Sequence, residues 1–143
     1  MEDFRILVSV DGSECSDRVV AMAAELARAA EAELDVLYVS YFASETDATE
    51  DSWLPDIVAA PVSEQQEAAL ARARALIPAR QPVAFHQRTG RPAEEILRCA
   101  EEYGSRLIVM GRHDQHGLLN GFLNGSVSQE VLNESPVSVL VVK

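Results

Sequence analysis

Two glycine- and hydroxyl-rich stretches carry the residue types that could do chemistry. Asp11-Gly12-Ser13 directly follows one apolar run, and Gly111 through Ser126 follows another. The second stretch, GRHDQHGLLNGFLNGSVSQ, brings Gly125-Ser126 to the start of a helical pattern. Glycine lets backbone approach a ligand closely, and a helix N-terminus offers unpaired amides with partial positive charge. Such a loop can hold a phosphate without any lysine. Plain capping reads the same residues differently: Ser126 with Gln129 fits a capping box, and Gly125 then only turns the chain. Asp11, at the end of an apolar strand, can accept from a ribose hydroxyl or an adenine amine. It can equally be a turn residue ahead of a helix capped by Ser13.

Other chemistries find less support. His113 and His116 have an HxxH spacing, but no third ligand is evident near them, and His86 reads as a packed or rim residue in mid-strand. Cys15 and Cys99 lack CxxC or Cys/His zinc spacing, so they read as small core or boundary residues, and no metal is expected. A Walker A loop needs GxxxxGK[ST], whereas the only lysine is Lys143. The GxGxxG fingerprint is missing after the first strand, and neither a GxSxG elbow nor an assignable Ser/His/Asp trio occurs. No catalytic residues are assigned, and an enzyme is not expected.

The elements that must position these loops alternate. Strands are predicted at 5–10, 34–40, 82–88, 106–110 and 137–142, the first two short and β-branched enough to be buried on both faces. Helices are predicted at 14–30, 63–78, 92–103 and 126–133; the first carries an apolar stripe of Val19, Met22, Ala23, Leu26 and Ala30. Pro92 suits the first turn of the third helix. Alternation of this kind implies right-handed βαβ crossovers, hence an α/β fold with a parallel sheet covered on both faces. Ligands of such sheets bind beyond the carboxyl ends of the strands, where strand order reverses. With the order 3-2-1-4-5 the first and fourth strands are neighbours and their loops face each other; with 2-1-3-4-5 they are separated. The loop chemistry favours the first. One domain, 1–143, is expected, interrupted by an acidic, flexible excursion at 41–62 in which Trp53 and Leu54 would clip onto the body.

The 143 residues are 48% hydrophobic and 24% charged, a globular balance, yet 12 Lys plus Arg face 23 Asp plus Glu for a net charge of −11. That charge argues against a general nucleic-acid or anionic-membrane binder, since phosphate backbones need a basic footprint. Between Arg28 and Arg72 lie ten acids and no base, so the excess is concentrated around the second strand and the excursion. The opening MEDFRILV lacks a basic region followed by a long apolar stretch, and no run approaches a membrane span. The cytoplasm is the expected compartment.

Taken together, four stretches resemble the universal stress protein family over essentially the whole chain. ILVSVDGSECSDRVVAMAAELA is similar to its opening strand, loop and helix, and LDVLYVS to its second strand, with Tyr38 where histidine is common. GRPAEEILRCAEEYGSRLIVMGRH is similar to its third helix and fourth strand, and GSVSQEVLNESPVSVLVV to its closing helix and strand. The resemblance implies the order 3-2-1-4-5 in a Rossmann-like fold. It also implies ATP or another adenine nucleotide as ligand, with or without Mg²⁺, in members carrying G-x2-G-x9-G-[S/T]. Gly111 and Gly125-Ser126 match the ends of that signature; Asp114 replaces the middle glycine, and ten residues separate it from Gly125. Carried over, Asp11 would touch the ribose or base edge and Val39 would line the adenine pocket. Met110 and Gly111 would form its floor, and His113, Gly125, Ser126 and Ser128 would surround the phosphates. Similar proteins dimerise through the last strand, so a homodimer through 137–142 is expected. The alternative is a nucleotide-free homodimeric interaction or chaperone-like module in which the loop 111–126 is structural.

Overall fold

The computed structural model describes residues 4–11, 14–41, 55–112 and 126–143. Among these residues five strands and four helices alternate: β1 (Arg5–Val10), α1 (Glu14–Ala30), β2 (Glu33–Tyr41), α2 (Pro55–Leu76), β3 (Val83–Gly90), α3 (Pro92–Tyr103), β4 (Leu107–Gly111), α4 (Ser126–Glu134) and β5 (Ser138–Val142). All four strand pairings are parallel, in the order β3-β2-β1-β4-β5. This is the expected α/β architecture, with β1 and β4 adjacent at the point of reversal.

Period-two alternation along the strands divides the core between two faces. Ile6, Val8, Val10, Leu34, Val36 and Val109 point to one side and pack against Val19, Val20 and Ala23 of α1 and Ala69 and Ala73 of α2. Leu7, Leu37, Ile108 and Met110 point to the other, beneath Ile96 and Cys99 of α3 and Val131 of α4. The small residues of α1 and α2 let both helices sit close on the sheet. Cys15 and Cys99 are both buried free thiols, as expected of core cysteines.

Several boundaries differ from expectation for physical reasons. Helix α2 begins at Pro55, eight residues before the predicted start at 63, so the end of the 41–62 excursion is helical. Pro55 suits a first helical turn; Pro61, which lacks the N–H that an interior helical position donates, reads locally as a breaker. Residues 42–54, with the expected Trp53–Leu54 clip, lie outside the described residues. Strand β3 runs on through Thr89 and Gly90, which read as a turn but pair with Ser40 and Tyr41 of β2. Helix α3 matches its predicted limits, because Pro92 opens it and Gly104 closes it at φ 68°, ψ 33°, a left-handed conformation that glycine adopts without strain.

A buried ionic cluster ties the amino-terminal half of the sheet together. Asp35 of β2, 1% exposed, faces α3 and accepts both Nε (3.2 Å) and Nη2 (2.9 Å) of Arg5 from β1. His86 Nε2 lies 2.9 Å from the other side of the same carboxylate, and Tyr103 Oη lies 3.2 Å from Nδ1 while its ring stacks on the imidazole. A carboxylate only accepts, so Nε2 carries the proton toward Asp35, and in the neutral ring Nδ1 accepts from the Tyr103 hydroxyl. Three strands and one helix are thereby held in register at a place where a lone aspartate would be expensive to bury.

Candidate functional site

The register of β1 and β2 pairs Val10 with Tyr38, which sets Asp11 and Val39 at the same level just beyond the end of β1. On the other side, Val8 pairs with Val109, so Met110 and Gly111 reach the same edge of the sheet. Asp11 is exposed, Val39 half-buried, and Met110 and Gly111 buried. Helix α4 opens at Ser126, with Ser128 buried in its first turn. The structure therefore brings Asp11, Val39, Met110 and Gly111 to one end of three adjacent strands, and gives Ser126 and Ser128 to the amino-terminal turn of α4. His113 and Gly125, together with Asp114 and His116, lie outside the described residues. Among the described residues no group of three or more His, Cys, Asp or Glu is gathered that could hold a metal ion.

Local chemistry at this edge is tighter than the sequence suggested. Asp11 is linked twice to Ser16 of α1: the Ser16 hydroxyl donates to Oδ1 at 2.7 Å and accepts the Asp11 backbone N–H at 2.9 Å. Burial pushes the Tyr38 phenol above its usual value, and the negative charge of Asp11 pushes it the same way. Gly111 is needed for a reason unconnected with a ligand. A Cβ there would lie 2.9 Å from Val19 Cγ2 and 3.0 Å from Cys15 Sγ, so the end of β4 approaches α1 as closely as only glycine permits. The next residue, Arg112, donates its N–H to Val142 O at 3.3 Å, and its carbonyl lies 3.7 Å from Cys15 Sγ. Arg18 Nε donates to the Lys143 carbonyl at 3.0 Å. The first turns of α1 thus bind together the ends of β1, β4 and β5.

Sequence reasoning missed Ser16, Cys15 and Tyr38 as parts of this edge. Ser16 had one available signal, a hydroxyl two residues into a helix and five after a strand-terminal aspartate. Cys15 had none, since its role depends on how closely β4 approaches.

A model of the universal stress protein family matches residues 4–143. The chain belongs to the universal stress protein family. Universal stress protein YxiE of Bacillus subtilis is 33% identical to it over 151 residues, spanning 97% of this chain and 98% of YxiE. The solved structure of MJ0577, a universal stress protein of Methanocaldococcus jannaschii, matches with a TM-score of 0.75 at 25% identity, over 100% of this chain and 97% of that one. A universal stress protein solved in complex with cAMP matches with a TM-score of 0.69, also at 25% identity, over 99% of this chain and 98% of that one. No helix among the described residues is long and apolar enough to cross a membrane.

Proposed function

We propose that this universal stress protein is a cytoplasmic, single-domain regulatory module that binds an adenine nucleotide at the carboxyl edge of the sheet, between β1 and β4. The observation that carries the reading is the convergence of Asp11, Val39 and Gly111 on one edge at the reversal of strand order, where open α/β sheets hold ligands. A relative of the same fold in complex with cAMP supports the ligand class. Asp11 supplies the acceptor for ribose hydroxyls or the adenine amine, Val39 an apolar wall, and the N-terminal turn of α4 the amides for phosphate. Ser126 and Ser128 add hydroxyls there, and His113 and Gly125 complete the phosphate side. ATP, with or without Mg²⁺, is the ligand the closing Gly125-Ser126 pair favours. The role is binding, with partner contacts responding to occupancy, rather than turnover.

One observation favours the competing reading of a nucleotide-free interaction module. The steric demand of α1 already accounts for Gly111, and Asp114 brings negative charge where the signature has glycine. Two measurements separate the readings. Denaturing the purified protein and analysing the supernatant by mass spectrometry is expected to release an adenine nucleotide. Stripped protein titrated calorimetrically with ATP and Mg²⁺, and with ADP, AMP and cAMP, is expected to give saturable heat. Flat titrations with all four would overturn the nucleotide reading and leave the interaction module.

The same module is proposed to form a homodimer through β5. Among the described residues that strand pairs only with β4, its Val139, Leu140, Val141 and Val142 are half-buried, and Leu132 of α4 is 49% exposed. An apolar sheet edge invites a second strand. Light scattering at micromolar concentration is expected to give twice the monomer mass of 15.6 kDa.

A further inference from the structure

The acid at the head of the proposed site is exposed, while the group that holds it is buried. Ser16 is 7% exposed, and its hydroxyl spends its donor on Asp11 Oδ1 at 2.7 Å and an acceptor position on the Asp11 N–H at 2.9 Å. These two bonds close a small ring through the backbone and side chain of one residue. The ring fixes the direction in which the carboxylate leaves the end of β1 and ties that direction to α1. A carboxylate already held in the direction it needs costs less ordering when a ligand binds. Cys15 and Val19 pack closely over Gly111, so the helix that carries Ser16 also sits tight against β4.

We propose that Ser16 is the positioning residue of the nucleotide site, presetting the Asp11 carboxylate to accept from the ribose hydroxyls or the exocyclic amine of the ligand. The inference rests on the nucleotide reading above and concerns which residue prepares that site. Ser16 acts through Asp11 and not on the ligand. A carboxylate only accepts, so the ligand group that meets it must be a donor. A phosphate oxygen would be repelled there, which orients the nucleotide with its sugar and base toward β1 and its phosphates toward α4.

The test is a cycle of calorimetric titrations with ATP and Mg²⁺ on the wild type, Ser16→Ala, Ser16→Thr, Asp11→Ala and the Ser16→Ala/Asp11→Ala double variant, each checked by circular dichroism melting. Loss of one charge-assisted hydrogen bond that preorganises a ligand contact is expected to weaken binding about three- to tenfold in Ser16→Ala. Ser16→Thr, which keeps the hydroxyl, is expected to restore most of that affinity. In the Asp11→Ala background the Ser16→Ala change is expected to alter affinity less than about twofold, since there is no carboxylate left to position. A merely structural serine would instead weaken binding equally in both backgrounds, and that additivity would overturn the proposal. Equal affinity of Ser16→Ala and a wild type that binds would overturn it too, leaving the nucleotide reading intact. Should Ser16→Ala fail to fold, Ser16→Cys takes its place under the same criteria. A wild type that binds none of the four nucleotides would overturn both readings together.

Discussion

Gly111 is a residue whose type is fixed by its neighbours more firmly than by any ligand. Its missing side chain admits Val19 and Cys15, and an alanine there must displace one or both from contacts of 2.9 and 3.0 Å. Both neighbours sit on the first turns of a packed helix, so the displacement propagates into α1. Gly111→Ala is therefore expected to destabilise the fold by about 1–3 kcal/mol, the usual cost of overpacking, measured as a lower urea midpoint in the ligand-free protein. Cys15→Ala in that background is expected to recover part of the loss, because it clears one of the two contacts; no recovery would place the strain elsewhere. Asp35 teaches a related lesson about what single residues reveal. In sequence it is one of ten acids in a stretch without a base, and nothing local separates it from its solvated neighbours. Its partners Arg5 and His86 are 30 and 51 positions away, so its burial becomes visible only once β1, β2 and β3 are paired. Asp11 was legible as a candidate because strand-terminal position and residue type coincide; its anchor Ser16 was not, because the bond depends on how the chain enters α1.

Elements were legible where their own pattern was strong and obscure where they lean on the rest of the fold. The helical period of α1, the proline and glycine bounding α3 and the apolar runs of β1, β4 and β5 announce themselves, although the α1 stripe is placed slightly off: Met22 and Ala30 are exposed, and Val20, Ala24 and Ala27 join Val19 and Ala23 in the core. Strand β3 alternates too weakly to mark its end, and the first turns of α2 lack a stripe and contain Pro61. What fastens α2 is tertiary. Arg72 makes a paired contact to Asp17 of α1, Nε to Oδ1 at 2.7 Å and Nη2 to Oδ2 at 2.8 Å, and the Gln66 amide donates to the Ser40 hydroxyl of β2. The hydrogen bonds from Arg72 hold the Asp17 carboxyl below its ordinary value of 3.8, its charge adding to the effect. A carboxyl with a depressed folded-state value binds its proton more tightly in the unfolded chain. The tie between α1 and α2 therefore contributes fully above the ordinary carboxylate range and is lost as pH falls from 3.8 through the lower folded value. Both partners are well exposed, so the contribution is small. Asp17→Asn is expected to lower stability slightly near pH 7 and to flatten the acid limb of the stability–pH profile by the same small amount, as followed by urea melts from neutral into the acid range; an unchanged acid limb would dissociate this pair from acid sensitivity.

At the scale of the molecule, the charge of −11 bears on assembly as much as on partners. Two protomers joined along β5 would bring two such charges within a few nanometres, while the strand residues that would meet there, Val139 to Val142, carry no ionisable side chain. Attraction at the edge is then apolar and backbone-based, short in range and nearly independent of salt, whereas the repulsion is long in range and screened. The Debye length is about 30 Å in 10 mM salt and about 8 Å at physiological strength. At low salt the repulsion spans the dimer, and at physiological salt it falls off within a fraction of a protomer. Dimerisation is accordingly expected to tighten several-fold as salt is raised from about 10 to about 150 mM, read by sedimentation equilibrium at low micromolar protein. Weakening over that range would mean that the protomers are held by ion pairs, and would move the interface from β5 to a face such as the one carrying Arg88, Arg98, Glu95 and Glu102, where cations and carboxylates lie side by side. Association along β5 would leave the Asp11 and Val39 side of the proposed ligand edge open, because these residues lie on the far side of β4 from β5, whereas Met110 and Gly111 of β4 pair directly with β5. The junction of Arg112 with Val142 and of Arg18 with Lys143 is where occupancy of the one and pairing of the other would meet.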